Sequence, residues 1–125
     1  MPPLLLVMLG GAIGSGLRYG VGTIALRTIG PGFPWGTMFV NLAGGLLMGL
    51  LAGFLTRDAD GGESLRLLVG VGVLGGFTTF SAFSLEAYTM FVRGEGLIAG
   101  AYALSSVTGS MLLLAAGVWL ARGAA

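Results

Sequence analysis

Charged side chains fall at wide intervals along this chain, and the stretches between them are apolar over the length of a membrane crossing. Pro2 to Leu26 carries only Arg18, Thr28 to Thr56 carries no charge, Leu67 to Val92 carries only Glu86, and Gly96 to Ala121 carries none. Each stretch reaches the ~20 residues that a helix rising 1.5 Å per residue needs to cross a hydrocarbon core of about 30 Å. The pattern predicts an all-α membrane protein: one membrane domain, residues 1–125, with four transmembrane helices at about 3–27, 34–56, 66–92 and 96–121. The connections Arg27 to Phe33, Arg57 to Arg66 and Arg93 to Glu95 leave no segment for a soluble domain. Leu4 to Leu9 is read as part of the first span rather than a cleaved leader, because no basic residues precede it and the apolar run continues past Arg18.

The third stretch contains an anomaly. Gly75-Gly76-Phe77-Thr78-Thr79-Phe80-Ser81-Ala82-Phe83-Ser84 sets paired glycines and paired threonines inside a membrane-length run, and both residue types are poor helix-interior material. A helix broken mid-membrane survives where protein, water or an ion satisfies the freed backbone groups. Such breaks are where transporters hold ions, so this segment is read as a site rather than a packing hinge.

Polar residues inside the other spans form rows. Thr37 and Asn41 stand four apart; Thr79, Phe83 and Glu86 share a face, with Phe80 and Ser84 on the adjoining one; Tyr102, Ser106 and Ser110 repeat at intervals of four. The competing reading, that the hydroxyls bond their own i−4 carbonyls, fits any single serine. The coincidence of three rows with Asn41 and Glu86 favours a polar track across the membrane. Its donors are neutral: an amide, hydroxyls, and phenyl rims with their positive edges. They suit a small anion bound strongly enough to replace its hydration and weakly enough to leave.

Glycines at four-residue spacing (Gly10 and Gly14; Gly16 and Gly20; Gly45, Gly49 and Gly53; Gly72 and Gly76; Gly96 and Gly100) predict close helix–helix contact. Gly70-x-Gly72-x-x-Gly75 matches a dinucleotide-binding pattern, but it lies within a membrane-length run without a βαβ context and is set aside.

Composition narrows the function further. With 55% hydrophobic and 9% charged residues and a mean hydropathy of +0.96, the chain is unlike a soluble domain. Absent cysteine and histidine exclude disulfides, thiolate nucleophiles and imidazole metal sites. A net charge of +1 excludes a nucleic-acid footprint. No base, nucleophile pair or metal cluster of an enzyme is present. Arg57, Arg66 and Arg122 at one membrane face are nearly balanced by Arg27 and Arg93 at the other, with Arg18 leaning to the latter. That balance gives weak orientation by the positive-inside rule and points to dual topology, with the chain pairing as an antiparallel homodimer.

The Gly75–Phe83 segment, Gly36-Thr37-Met38-Phe39-Val40-Asn41 and Gly10-x-x-x-Gly14-x-x-x-Arg18-Tyr19 together resemble the Fluc (CrcB) family of small bacterial fluoride channels. The four-span layout extends the resemblance over essentially the whole chain. It implies a fluoride-selective passive channel of the bacterial inner (plasma) membrane, an antiparallel dual-topology homodimer in the lipid bilayer with two pores and a structural sodium ion at its centre. It further implies that Phe80 and Phe83 line the pores with their ring edges and that Asn41 donates its amide to fluoride. Tyr102, Ser106 and Ser110 would continue the track, Thr37, Ser81 and Glu86 would lie at its ends or walls, and Arg18 would attract anions in a vestibule. The backbone carbonyls of Gly75 and Thr78 would hold the sodium. Ala82 departs from the family pattern, in which threonine is the more usual residue, so no hydroxyl is available there.

Two other classes compete. A small four-helix multidrug/proton antiporter has similar length and topology but needs an embedded carboxylate, and Glu86, toward the end of the third span, is the only candidate. A purely structural bundle or assembly factor would leave the polar rows without use.

Overall fold

The computed structural model describes residues 1–57 and 62–123. Part of the expected Arg57–Arg66 connection lies outside the described residues. Helix α1 spans Pro3–Thr28 and α2 spans Trp35–Arg57. The third stretch is divided. Its first part, α3 (62–77), begins with an α-helical turn over Gly62–Leu65, widens to π-helical turns over Arg66–Leu74 and returns to α geometry over Gly75–Phe77. Thr78, Thr79 and Phe80 are not helical; α4 then runs Ser81–Val92 and α5 runs Gly96–Gly123. Pro3–Thr28, Trp35–Leu55, Gly62–Val92 and Gly96–Gly123 are each long and apolar enough to cross a membrane.

The helices pack as two close pairs. α2 lies along α5, and α1 lies along α3. Both contacts are built from bare backbone. A Cβ added at Gly49 would fall on the Leu114 carbonyl and one at Gly45 would stand 2.7 Å from the Ser110 carbonyl oxygen. In the other pair, a Cβ at Gly14 would fall on the Val73 carbonyl, and one at Gly76 would stand 2.7 Å from the Gly11 carbonyl oxygen. These glycines act as expected of small residues between membrane helices, where close approach replaces a hydrophobic driving force. Gly16, Gly20 and Gly100 do not: a Cβ at each would meet nothing within the chain. The four-residue glycine spacing overstated packing on these faces, because spacing says nothing about which face meets a neighbour.

Within the expected Gly75–Ser84 break, the unwinding falls on the threonines and not on the glycines. Gly75 and Gly76 stay helical, and the chain unwinds at Thr78. Gly76 serves the approach of α1, and it is Thr78, extended at φ −85° and ψ 161°, that ends the helix.

The buried core is small and centred on Tyr102, Phe83, Met90 and Ala99 between α4 and α5. Large apolar side chains such as Leu17, Ile24, Phe39, Leu97, Leu104 and Trp119 point outward. A bundle facing hydrocarbon has no reason to hide them. The turn into α5 uses Gly94 at φ +85°, with Glu95 N–H bonded to the Met90 carbonyl at 2.9 Å, a glycine-terminated helix end.

Candidate functional site at the helix break

Unwinding at Thr78–Phe80 strands backbone groups, and side chains from α1, α2 and the unwound segment itself receive them. In an unbroken helix Thr79 N–H would return to the Gly75 carbonyl. It is donated instead to Asn41 Oδ1 at 2.9 Å, while Asn41 Nδ2 donates to the Thr79 carbonyl at 3.1 Å. The Asn41 amide thus pairs with Thr79 as a second backbone would. Ala82 N–H would return to the Thr78 carbonyl, but Thr79 Oγ1 takes it at 3.1 Å. The Gly76 carbonyl receives Arg18 Nε from α1 at 3.2 Å. Groups from three helical bonds are therefore taken by side chains, and the carbonyls of Gly75 and Thr78 lose the amides that a continuous helix would give them.

Beside the break, α2, the unwound segment and α5 enclose a cleft of about 470 Å³, open on one side. Asn41, Phe80, Phe83, Ser106 and Ser110 line it, together with Gly75 and Thr78. Ser110 Oγ donates to the Asn41 carbonyl at 3.3 Å, tying α5 to α2. Ser106 is 3% exposed and its hydroxyl has no partner. A buried hydroxyl left unpaired against a cleft costs ~1–3 kcal/mol unless something in the cleft bonds it. Phe83 is buried, whereas Phe80 is 76% exposed at the open side; their ring centroids lie 5.8 Å apart.

Thr37, Glu86 and Tyr102 are not in the cleft and form a second cluster. Tyr102 Oη reaches toward Glu86 Oε1 at a long 3.5 Å, and the Thr37 hydroxyl is within hydrogen-bonding reach of both. The clusters meet through rings: Phe83 and Tyr102 are 5.1 Å apart, and Phe33 stands edge-on to Tyr102 at 5.2 Å and 82°. Phe33 in turn packs on Trp35 at 4.6 Å. An aromatic series thus leads from Phe80 at the break to the start of α2.

Ser81 is the outlier among the expected residues. It opens α4, is exposed, and lines neither cluster. Arg18 approaches the break from the α1 side and spends one of its five N–H donors on Gly76. Two contributors were not anticipated in these roles: Thr79, noted only as a member of a polar row, and Phe33, which lies in a connection where no periodicity could flag it.

The hydroxyls also sort themselves. Thr28, Thr78, Thr89 and Ser105 bond their own i−4 carbonyls at 2.7–3.0 Å, as membrane-helix hydroxyls commonly do. Thr79 and Ser110 bond elsewhere, and Ser106 bonds nothing. Among the described residues no three His, Cys, Asp or Glu converge. A cation at this break would rest on carbonyl oxygens.

Three membrane-length helices around an interrupted fourth, with neutral donors gathered at the interruption, define a multi-pass membrane protein with a polar site at a broken span. The profile of the family described as CrcB-like protein, Camphor Resistance (CrcB), matches residues 5–118, and the chain belongs to that family. It is 53% identical over 122 residues to the fluoride-specific ion channel FluC of Sphingopyxis alaskensis, covering 98% of this chain and 97% of that one. It is 57% identical over 123 residues to the protein of the same name from Hyphomonas neptunium, with the same coverages. The Chelativorans sp. protein of that name is 53% identical over 119 residues, 95% of each chain.

Proposed function

We propose that this chain is a fluoride-specific ion channel of the bacterial plasma membrane, conducting passively and catalysing no reaction. The observation that carries the proposal is the cleft at the break, where the unpartnered Ser106 hydroxyl, the Asn41 amide and the Phe80 and Phe83 rings converge with no arginine or lysine among the lining residues. The near-identical span of the fluoride channel relatives supports it. Asn41 spends one Nδ2 hydrogen on Thr79 and keeps the second for an anion. Ring edges carry positive quadrupole charge and complete a shell of weak donors. Such a shell replaces hydration without trapping the ion, as conduction requires. Tyr102, Thr37 and Glu86 extend the track toward the start of α2, and the four free N–H donors of Arg18 serve to draw anions toward the break.

The working unit of this proposal is an antiparallel, dual-topology homodimer with the break at mid-membrane and two pores. One chain leaves the cleft open and Phe80 exposed, and a second copy related by a two-fold axis would close both. A sodium ion at the dimer centre, held by the Gly75 and Thr78 carbonyls of each copy, belongs to the same reading. The residues fit it, since these are the carbonyls whose helical amides are diverted to Asn41 and Thr79. When bound, the ion supplies a fixed positive charge between the pores.

Passive export is energetically sufficient. A membrane potential of ~100 mV, negative inside, favours exit of one anion by about 2.3 kcal/mol. The test is fluoride efflux from liposomes under a potassium diffusion potential, with chloride as control. Voltage-driven fluoride release without chloride release is expected, lost on Phe80→Ile or Phe83→Ile in protein that still purifies as a dimer. Wild-type protein that releases no fluoride, or variants that release it at the wild-type rate, would remove the reading or its pore assignment respectively.

A further inference from the structure

We infer that Thr79 is a positioning residue for the cation site: its hydroxyl, by taking the Ala82 amide, keeps the Thr78 carbonyl available as a ligand. The inference rests on the sodium reading above and assigns this residue a part that the pore assignment does not. The extended conformation of Thr78 swings its carbonyl off the helix axis. That leaves Ala82 N–H, in the first turn of α4, among the orphan donors of a new helix start. Without an acceptor, the cheapest repair is to rotate Thr78 back and re-form the Ala82-to-Thr78 bond, which withdraws the carbonyl. Thr79 Oγ1 removes the incentive by accepting that amide at 3.1 Å.

The neighbouring threonine makes the contrast plain. Thr78 Oγ1 bonds the Leu74 carbonyl at 3.0 Å, the ordinary i−4 pattern, and strengthens the helix it ends. Thr79 does the reverse and holds the helix open. Its N–H and carbonyl are both taken by Asn41, so its hydroxyl is aimed by a residue that cannot easily rotate. A hydroxyl that served only as a helix cap would stabilise the fold equally with or without sodium. A positioning hydroxyl changes how much sodium is needed.

The experiment is thermal unfolding of the purified full-length dimer in detergent, followed across a sodium series balanced with N-methylglucamine. A ligand that binds only the folded state raises the melting temperature once its concentration passes the dissociation constant, so each variant yields a sodium midpoint, the concentration at which that rise sets in, independent of any flux. Thr79→Val, isosteric but without an acceptor, is expected to raise that midpoint by about two- to tenfold, the range of one hydrogen bond. Thr79→Ser is expected to keep the wild-type midpoint. Thr79→Cys, a weaker acceptor of similar size, should fall between them and serves if the valine variant does not fold. A wild-type melt indifferent to sodium would overturn the cation reading and the inference with it. A wild-type sodium response shared unchanged by the valine and cysteine variants would overturn the inference alone, as would a serine variant displaced as far as valine.

Discussion

Replacing Asn41 by alanine removes two hydrogen bonds between α2 and the break at once, the 2.9 Å bond from Thr79 N–H and the 3.1 Å bond to the Thr79 carbonyl. In a membrane protein such bonds are worth ~0.6 kcal/mol on average and at most ~1.7, so the pair is worth ~1–3 kcal/mol. The upper figure applies if Thr79 stays unwound with both groups unpaired, since each unsatisfied group in hydrocarbon costs several kcal/mol. The lower applies if the helix closes and Thr79 N–H returns to the Gly75 carbonyl. Closure would carry Phe80 away from the cleft, so the variant that loses less stability should lose more conduction. Thermal unfolding in detergent and fluoride efflux from liposomes, measured on the same preparation, separate the two. The expected result is a destabilisation of ~1–3 kcal/mol with fluoride release reduced at least tenfold. Asn41→Asp keeps the acceptor for Thr79 N–H but sets a second oxygen against the Thr79 carbonyl, and should block conduction at neutral pH with partial recovery on acidification, as a protonated carboxyl regains a donor. An alanine variant that melts and conducts like wild type would refute the clamp.

Two further outcomes follow from packing and burial. Gly14→Val and Gly49→Val should prevent assembly of a stable fold, seen as loss of a monodisperse peak on size exclusion, because their side chains would enter the Val73 and Leu114 carbonyls; Gly16→Ala should leave the melting temperature of the chain's own fold unchanged. Ser106→Ala should raise stability by about 1 kcal/mol, by removing a buried unpaired hydroxyl, while lowering fluoride release. A gain in stability without loss of flux would mean that no ion visits Ser106.

The four helices were legible because a membrane crossing is a one-dimensional property: length and apolarity between charges suffice to mark it. Asn41, Phe83, Ser106 and Ser110 were legible as members of separate polar rows because polar residues are scarce in the spans, and the resemblance joined them with Phe80; that Thr37, Glu86 and Tyr102 of the same rows stand apart from the cleft was not legible. Other features depend on three-dimensional bonding that spacing does not encode. Low helix propensity marks Gly75–Ser84 as a break but does not locate it within the segment: the glycines stay helical and the chain unwinds at the threonines, because Asn41 and Thr79 supply acceptors to the diverted amides and Arg18 a donor to the Gly76 carbonyl. Gly16 and Gly20 had the spacing of packing glycines but face outward, as repetition fixes a face without fixing its neighbour. Ser81 was grouped with the pore through its place in the motif, while its position at the exposed start of α4 turns it away from both clusters. Phe33 was invisible because a residue in a connection has no periodicity, although its ring closes the aromatic series at Tyr102.

The dependence of the break on Arg18 and Asn41 also sets an order for making the protein. Both residues lie on helices that precede the break in the chain, so a ribosome completes α1 and α2 before Thr78 is synthesised. The receivers of the stranded backbone thus leave the ribosome ahead of the groups they receive. Until then Arg18 lacks the carbonyl it later holds, and an unpartnered arginine within a span costs up to ~2.5–3.5 kcal/mol, an incentive to capture a carbonyl that arrives. The third stretch can enter as a plain apolar helix and be opened afterwards by partners already waiting. A circular permutant that begins at α3 would reverse that sequence, and would have to hold a broken helix in lipid with nothing yet there to mend it.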